Sequence, residues 1–212
     1  MIITHHGADF FKVSFGDTTI AVNPISKDSK IKSTKFGSDI TLISVVNSSE
    51  HNGSEQTSRG EKESFVIKGP GEYEVQGVFI KGFLSKTEYD GSEKINTIYT
   101  VSLEGMSLGF LGALSEKELS AEAKEALDGI DILCVPVGGD GVLDPATAHK
   151  VAVSFEPKII IPSHFEGVGD KTALKTFLKE SGEESVKPID KLTIKKKDME
   201  GKEGEVVVLE AI

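Results

Sequence analysis

The hydrophobic period changes midway along this chain of 212 residues. Up to Leu111, short apolar runs are separated by Gly, Asn and Asp turns, the pattern of successive β-strands. Beyond it, apolar residues recur at helical spacing between short buried runs, the pattern of helices alternating with strands. Each amphipathic helix must bury its apolar stripe, and a sheet face is the surface available. The expected class is therefore α/β, with two sheets packed face to face and helices outside, a four-layer αββα sandwich. No repeat, low-complexity tract or long linker divides the chain, so one domain over 1–212 is expected.

Residues 10–15 and 18–22, joined by Gly16-Asp17, predict a hairpin, and residues 23–39 read as a loop. The run Ile40-Thr-Leu-Ile43 predicts a buried strand that ends in the polar loop 44–53. Further strands are expected at 64–67, 71–75, 78–84, 97–103 and 107–111, with Gly105-Met106 turning between the last two. Ser115-Glu-Lys-Glu118 has capping-box form ahead of Leu119, Ala123, Ala126 and Leu127. Asp144-Pro145 supplies an N-cap and first-turn proline for a helix carrying Ala148, Val151, Ala152 and Phe155. Asp170 caps a third helix, with Ala173, Leu174, Phe177 and Leu178 on one face and Gly182 closing it. Strands at 131–137, 158–161, 192–195 and 205–209 complete the pattern.

A net charge of −10 and a pI near 5.1 argue against nucleic acid and anionic membranes, since phosphate recognition needs clustered Lys and Arg. The run Lys195-Lys196-Lys197 is too short to form a basic patch. Cys134 lies within Ile132-Leu-Cys-Val135 and reads as a buried core thiol. The start of the chain shows no basic region followed by an apolar stretch, and no run approaches the ~20 apolar residues that span a bilayer. A cytoplasmic protein is expected. A homo-oligomer stays open as a partner, and the sequence names no other.

Several blocks, read in order, resemble one family. They are Gly7-Ala-Asp-Phe-Phe-Lys-Val13, Ile20-Ala-Val-Asn-Pro24, the segment 39–52, Gly69-Pro-Gly-Glu-Tyr-Glu-Val-Gln-Gly77, Leu111-Gly-Ala113 and the stretch 157–164 ending at His164. Together they resemble the metallo-β-lactamase superfamily, in its ascorbate-phosphate-lactonase-like branch of Zn-dependent hydrolases. The resemblance implies the αββα sandwich and a dinuclear metal centre built on His-x-His-x-Asp-His, a later His, a bridging Asp and a final His.

Carried over by position, most of those ligands are missing. Val46 and Ser48 stand where the first two His belong, or Val45 and Asn47 in the other register. The third His position falls near Thr87 and the bridging Asp on Ala113. Ala8 and Asn23 replace a His and an Asp at two neighbouring family positions. The first metal site has no imidazole or carboxylate left. Glu50, His51 and His164 survive as second-site candidates, and two His with one carboxylate can hold a single divalent ion. The resulting expectation is a protein of this fold without its dinuclear centre, in a vestigial or binding role and without a cofactor. The alternative is a mononuclear hydrolase of a small ester, lactone or phosphorylated substrate, with one zinc, manganese or iron ion.

The other reactive-looking residues have plainer readings. His5 and His6 read as residues of the first strand on opposite faces, and His149 as a half-buried or surface helix residue. Glu72 and Glu74 alternate with Tyr73 and Val75 and should face solvent. Ser48 and Ser49 beside His51 suggest a nucleophile and base, but the sequence offers no third member. Gly138-Gly-Asp-Gly141 lacks a phosphate-binding spacing and reads as a loop.

Overall fold

A computed structural model describes residues 1–58 and 60–212. The first sheet contains β1 (Ile2–His5), β2 (Phe11–Phe15), β3 (Thr18–Val22), β4 (Ile40–Leu42) and β5 (Phe65–Ile67). The second begins with β6 (Gly71–Val75), β7 (Val78–Thr87), β8 (Lys94–Leu103) and β9 (Met106–Phe110). Thereafter α1 (Ala121–Leu127), β10 (Ile132–Pro136), α2 (Pro145–Val153), β11 (Ile159–Ser163) and α3 (Ala173–Glu180) alternate. The short strands β12 (Leu192–Thr193) and β13 (Glu205–Val206) follow. The six-stranded sheet has the order β12-β1-β2-β3-β4-β5, and the seven-stranded sheet β13-β11-β10-β9-β8-β7-β6.

Alternation along the strands builds the core between the sheets. Phe11 pairs with Val22 and Val13 with Ile20, which sends all four inward against Ile80, Tyr99 and Val101 of the facing sheet. Tyr99 is fully buried there, and its hydroxyl crosses between the sheets to donate to the Ile43 carbonyl at 2.9 Å. A buried tyrosine needs such a partner, so this bond fixes the end of β4 against β8. Cys134 belongs to the same core, and burial pushes its thiol up, away from thiolate chemistry.

The three described α-helices pack on the outer face of the seven-stranded sheet. Ala123 and Leu127 of α1, Ala148 and Ala152 of α2, and Phe177 of α3 bury against Leu133, Val135 and Ile160. The outer face of the six-stranded sheet is covered by Ile25, Ile31 and Phe36 of the long loop after β3, which close over Phe10 and Ala21. No described helix exceeds a few turns, and none is long and apolar enough to cross a membrane.

Local expectations shift where tertiary bonds compete. Helix α1 begins after Ser120, whose hydroxyl accepts from the Ala123 amide, five residues beyond the expected cap at Ser115. The Ser115 stretch is instead tied to the strand β7: the Ser115 amide donates to the Lys86 carbonyl and Glu116 accepts from the Lys86 amide. The turn before β9 is Glu104-Gly105, both left-handed, and Met106 already lies in the strand. Helix α3 starts at Ala173, with Asp170 accepting from the Thr172 amide at 2.6 Å rather than occupying the cap position. Asp144 caps α2 as expected, accepting from the Thr147 amide. Glu72 and Glu74 are exposed and His149 is half-buried against Phe177.

Candidate functional site

Four loops converge at one end of the sandwich: the β1–β2 turn, the loop after β4, the loop after β10 and the loop after β11. The β1–β2 turn is tight, with Gly7 and Ala8 both left-handed, and it presents Asp9 inward. Its Ala8 carbonyl accepts from the His164 amide at 2.8 Å and lies 2.9 Å from His5 Nε2. His164 itself has a φ of 59°. Left-handed backbone at non-glycine residues costs about 1–3 kcal/mol each and persists only where surroundings enforce it. The loop after β4 is pinned just as firmly, because Asn23 Oδ1 accepts from the Ser44 amide and the Gly53 amide donates to the Pro24 carbonyl.

Asp9 is the centre of the cluster. Its Oδ2 lies 3.1 Å from His51 Nε2 and 3.1 Å from His164 Nδ1, while Oδ1 accepts from Ser163 Oγ at 2.5 Å. All three of Asp9, His51 and His164 are buried. Burial alone would raise the Asp9 carboxyl, but the two imidazoles and their hydrogen bonds outweigh it and hold it well below the usual carboxylate range. A carboxylate in this setting is an anion that keeps an N–H on each ring pointed at it. His51 Nδ1 faces Ser48 Oγ at 2.8 Å, and His164 Nε2 is buried without a hydrogen-bond partner among the described residues.

His51 and His164 are therefore brought together as the sequence suggests, and the carboxylate that reaches both rings is Asp9. Glu50 stands one hydroxyl away. Its carboxylate accepts from Ser29 and Ser49 at 2.8 Å each and from Ser48 at 3.2 Å, and it is half-exposed. Asp9 also completes a Ser48–His51–Asp9 chain. Ser48 Oγ has one proton for both His51 Nδ1 and Glu50 Oε2, however, and the side chain is buried. Asp9 escaped the sequence reading because it is separated from His51 by 42 positions and from His164 by 155. The available signal was an acidic residue in an apolar context, directly before Phe10-Phe11.

A model of the β-lactamase superfamily domain matches residues 2–164. The chain belongs to the metallo-β-lactamase superfamily. Among solved structures it resembles a proposed Zn-dependent hydrolase of this superfamily from Thermotoga maritima, with 27% identity, a TM-score of 0.72, and 98% and 97% of the two chains covered. A proposed metal-dependent hydrolase from Parabacteroides distasonis matches at 19% identity and a TM-score of 0.66, covering 98% and 93%. Igni18, a metallo hydrolase from Ignicoccus hospitalis, matches at 16% and 0.65, covering 92% and 99%. The last two likenesses concern the fold.

The residues that the family resemblance sets at the other ligand positions make contacts of their own. Thr87, near which the resemblance sets the third His, is fully buried and accepts from the Tyr89 amide at 3.1 Å. The Tyr89 ring then stands edge-on to both His51 and His164, at centroid distances of 5.3 and 4.9 Å. Ala113, at the bridging-Asp position, packs with Val45, Tyr89 and Val142 in a small apolar cluster, joined by Val168. Val46 turns outward to solvent, and Ser48 turns to His51.

A metal can be tested against these donors. Asp9, His51 and His164 each offer one ligand atom within 4.8 Å of the others. Tetrahedral zinc with bonds of roughly 2.0–2.1 Å places its ligand atoms about 3.3 Å apart, close to the 3.1 Å observed from Asp9 to each ring. The set suits one divalent ion. Among the described residues, no second group of three His, Cys, Asp or Glu side chains lies close enough together to hold another ion.

His5 and His6 stand outside this cluster. The strand ends at His5, and both rings are buried, His6 between Phe10 and Phe36 with Nε2 3.1 Å from Thr4 Oγ1. Burial disfavours the imidazolium and lowers His6 from 6.5 to about 4; His5 shifts the same way for the same reason. Between those two values the unfolded chain binds the proton and the folded chain does not, so stability rises with pH. Acidification from pH 6.5 to about 4 should therefore lower the urea midpoint. His6→Phe, which keeps the ring contacts, should reduce the slope. An unchanged slope in that variant would remove His6 as a source.

Proposed function

We propose that this chain is a metallo-β-lactamase-fold protein that has lost the dinuclear metal centre and acts as a binding protein rather than as a metal-dependent hydrolase. The observation that carries this reading is the packing of Ala113 with Val45, Tyr89 and Val142, which fills the position of the bridging carboxylate with apolar side chains. Two-metal hydrolysis relies on a hydroxide held between cations, whose charge lowers the water's pKa and stabilises the developing oxyanion. The side chains at Val46, Ser48, Thr87 and Ala113 offer no ligand for the first of those cations. The Asp9 carboxylate already engages one nitrogen of each remaining ring.

A second reading is favoured by the closeness of three ligand atoms. Asp9, His51 and His164 would hold one zinc, manganese or iron ion, which would supply Lewis acidity and an acidified water. In that state Asp9 would trade its two ring N–H bonds for the ion, and Glu50 would orient His51 through Ser48. Elemental analysis of protein grown with added zinc, manganese and iron separates the two readings. Metal at background supports the binding protein. Stoichiometric metal that disappears in His51→Ala and His164→Ala, together with chelator-sensitive turnover of an ester, lactone or phosphate ester, would replace it with the mononuclear hydrolase.

A further inference from the structure

We infer that the cavity between the loop after β4 and the start of β8 binds a small carboxylic acid with an apolar body. This rests on the binding reading above and names the class of ligand. The cavity has a volume of about 420 Å³ and lies between Val46, Lys68, Pro70, Lys94 and Ile95, with Ser44 also lining it. Volumes of roughly 300–1,000 Å³ are those that hold small organic ligands. It adjoins the former metal loop, since Val45 both lines it and packs against Tyr89 and Ala113.

Two observations fix the chemistry. First, the walls are apolar and face water: Val46 is 43% and Ile95 64% exposed. Leu84, on the adjacent strand β7 and paired with Thr97 of the cavity wall, is 60% exposed. Second, the charges do not cancel. Glu93 is taken by Lys86 at 3.2 Å and Lys94 by Asp90 at 3.0 Å, which leaves Lys68 without an ion-pair partner among the described residues. In a chain of net charge −10, an uncompensated cation beside an apolar cavity favours a single negative charge on the ligand. A monoanionic carboxylate accepts from the Lys68 ammonium, and its hydrocarbon part covers Val46 and Ile95. A dianionic phosphate would bring its second charge against Glu93, with no second unpaired cation among the described residues of the lining to meet it.

The probe is 4-phenylbutanoate, compared with 4-phenylbutanol and inorganic phosphate in ¹H–¹⁵N titrations of the metal-depleted full chain. The carboxylate is expected to shift the amides of residues 44–47, 68–69 and 94–97. The alcohol should bind about tenfold or more weakly, the factor equivalent to one modest charge interaction. Lys68→Gln should weaken the carboxylate by the same factor while leaving the alcohol unchanged. Ile95→Ser should weaken both. Both residues lie at the surface, so a spectrum unaltered elsewhere confirms that each variant is folded. No shifts, shifts confined to another face, equal binding of alcohol and acid, or phosphate binding in place of the acid would each overturn the inference. Those outcomes are distinct from failure of the binding reading, which is judged separately by bound metal and chelator-sensitive turnover.

Discussion

Replacing Asp9 by alanine is expected to destabilise the protein by about 3–5 kcal/mol, the range for removing one member of a buried, hydrogen-bonded charge cluster. The carboxylate accepts from Ser163 Oγ and faces ring nitrogens of His51 and His164, all of them buried. Alanine would strand those donors in a volume with no replacement acceptor. Asp9→Asn keeps the shape and one acceptor oxygen, so its cost should be smaller. The acid limb adds a second signature. The Asp9 pKa is lowered in the folded state, so its contribution is fully present above the ordinary carboxylate pKa and is lost as pH falls through the lowered one. Urea unfolding of the wild type and both variants, above and below that ordinary value, measures this directly. A cost within about 1 kcal/mol for Asp9→Ala, the level of an ordinary surface change, would mean that the cluster does not hold these loops together.

The second large effect is expected at Gly138. A Cβ there would overlap the backbone carbonyl oxygen of His164 and press on its ring at 3.1 Å. That carbonyl belongs to a left-handed residue whose amide is fixed to Ala8, so it cannot yield cheaply. Gly138→Ala should therefore cost about 3 kcal/mol, the upper part of the range for overpacking a close contact, and displace His164 from Asp9. Gly139→Ala is the control: its φ is +62° but nothing lies within 4 Å of the added methyl group. It should cost about 1–2 kcal/mol, from backbone conformation alone. Thermal unfolding of the two variants reads the difference as several degrees. Equal shifts for the neighbours would show that Gly138 does not act through contact with His164.

Much of the fold could be read from the chain because alternation and helical spacing are local. The hairpin partner strands β2 and β3 lie where the pattern puts them, and Asp144-Pro145 starts α2 as its chemistry requires. The first helix was misplaced for an equally physical reason. Ser115 and Glu116 have the form of a cap, but the edge of β7 offered their groups better partners. Local preference lost to a contact 29 or more residues away.

At the site, the division is sharper. The sequence by itself determined that Val46, Ser48, Thr87 and Ala113 bring neither an imidazole nor a carboxylate to the positions the family resemblance assigns to the first metal. It also singled out His51 and His164, through the blocks around them. Only the tertiary structure decided that Asp9 joins them and that Glu50 is held by three serines beside the cluster. It alone set Tyr89 across both rings and filled the space at Ala113 with apolar side chains. The physical reason is distance along the chain: hydrogen bonds and packing between the β1–β2 turn and the loops after β4 and β11 leave no periodic trace in the residues that make them.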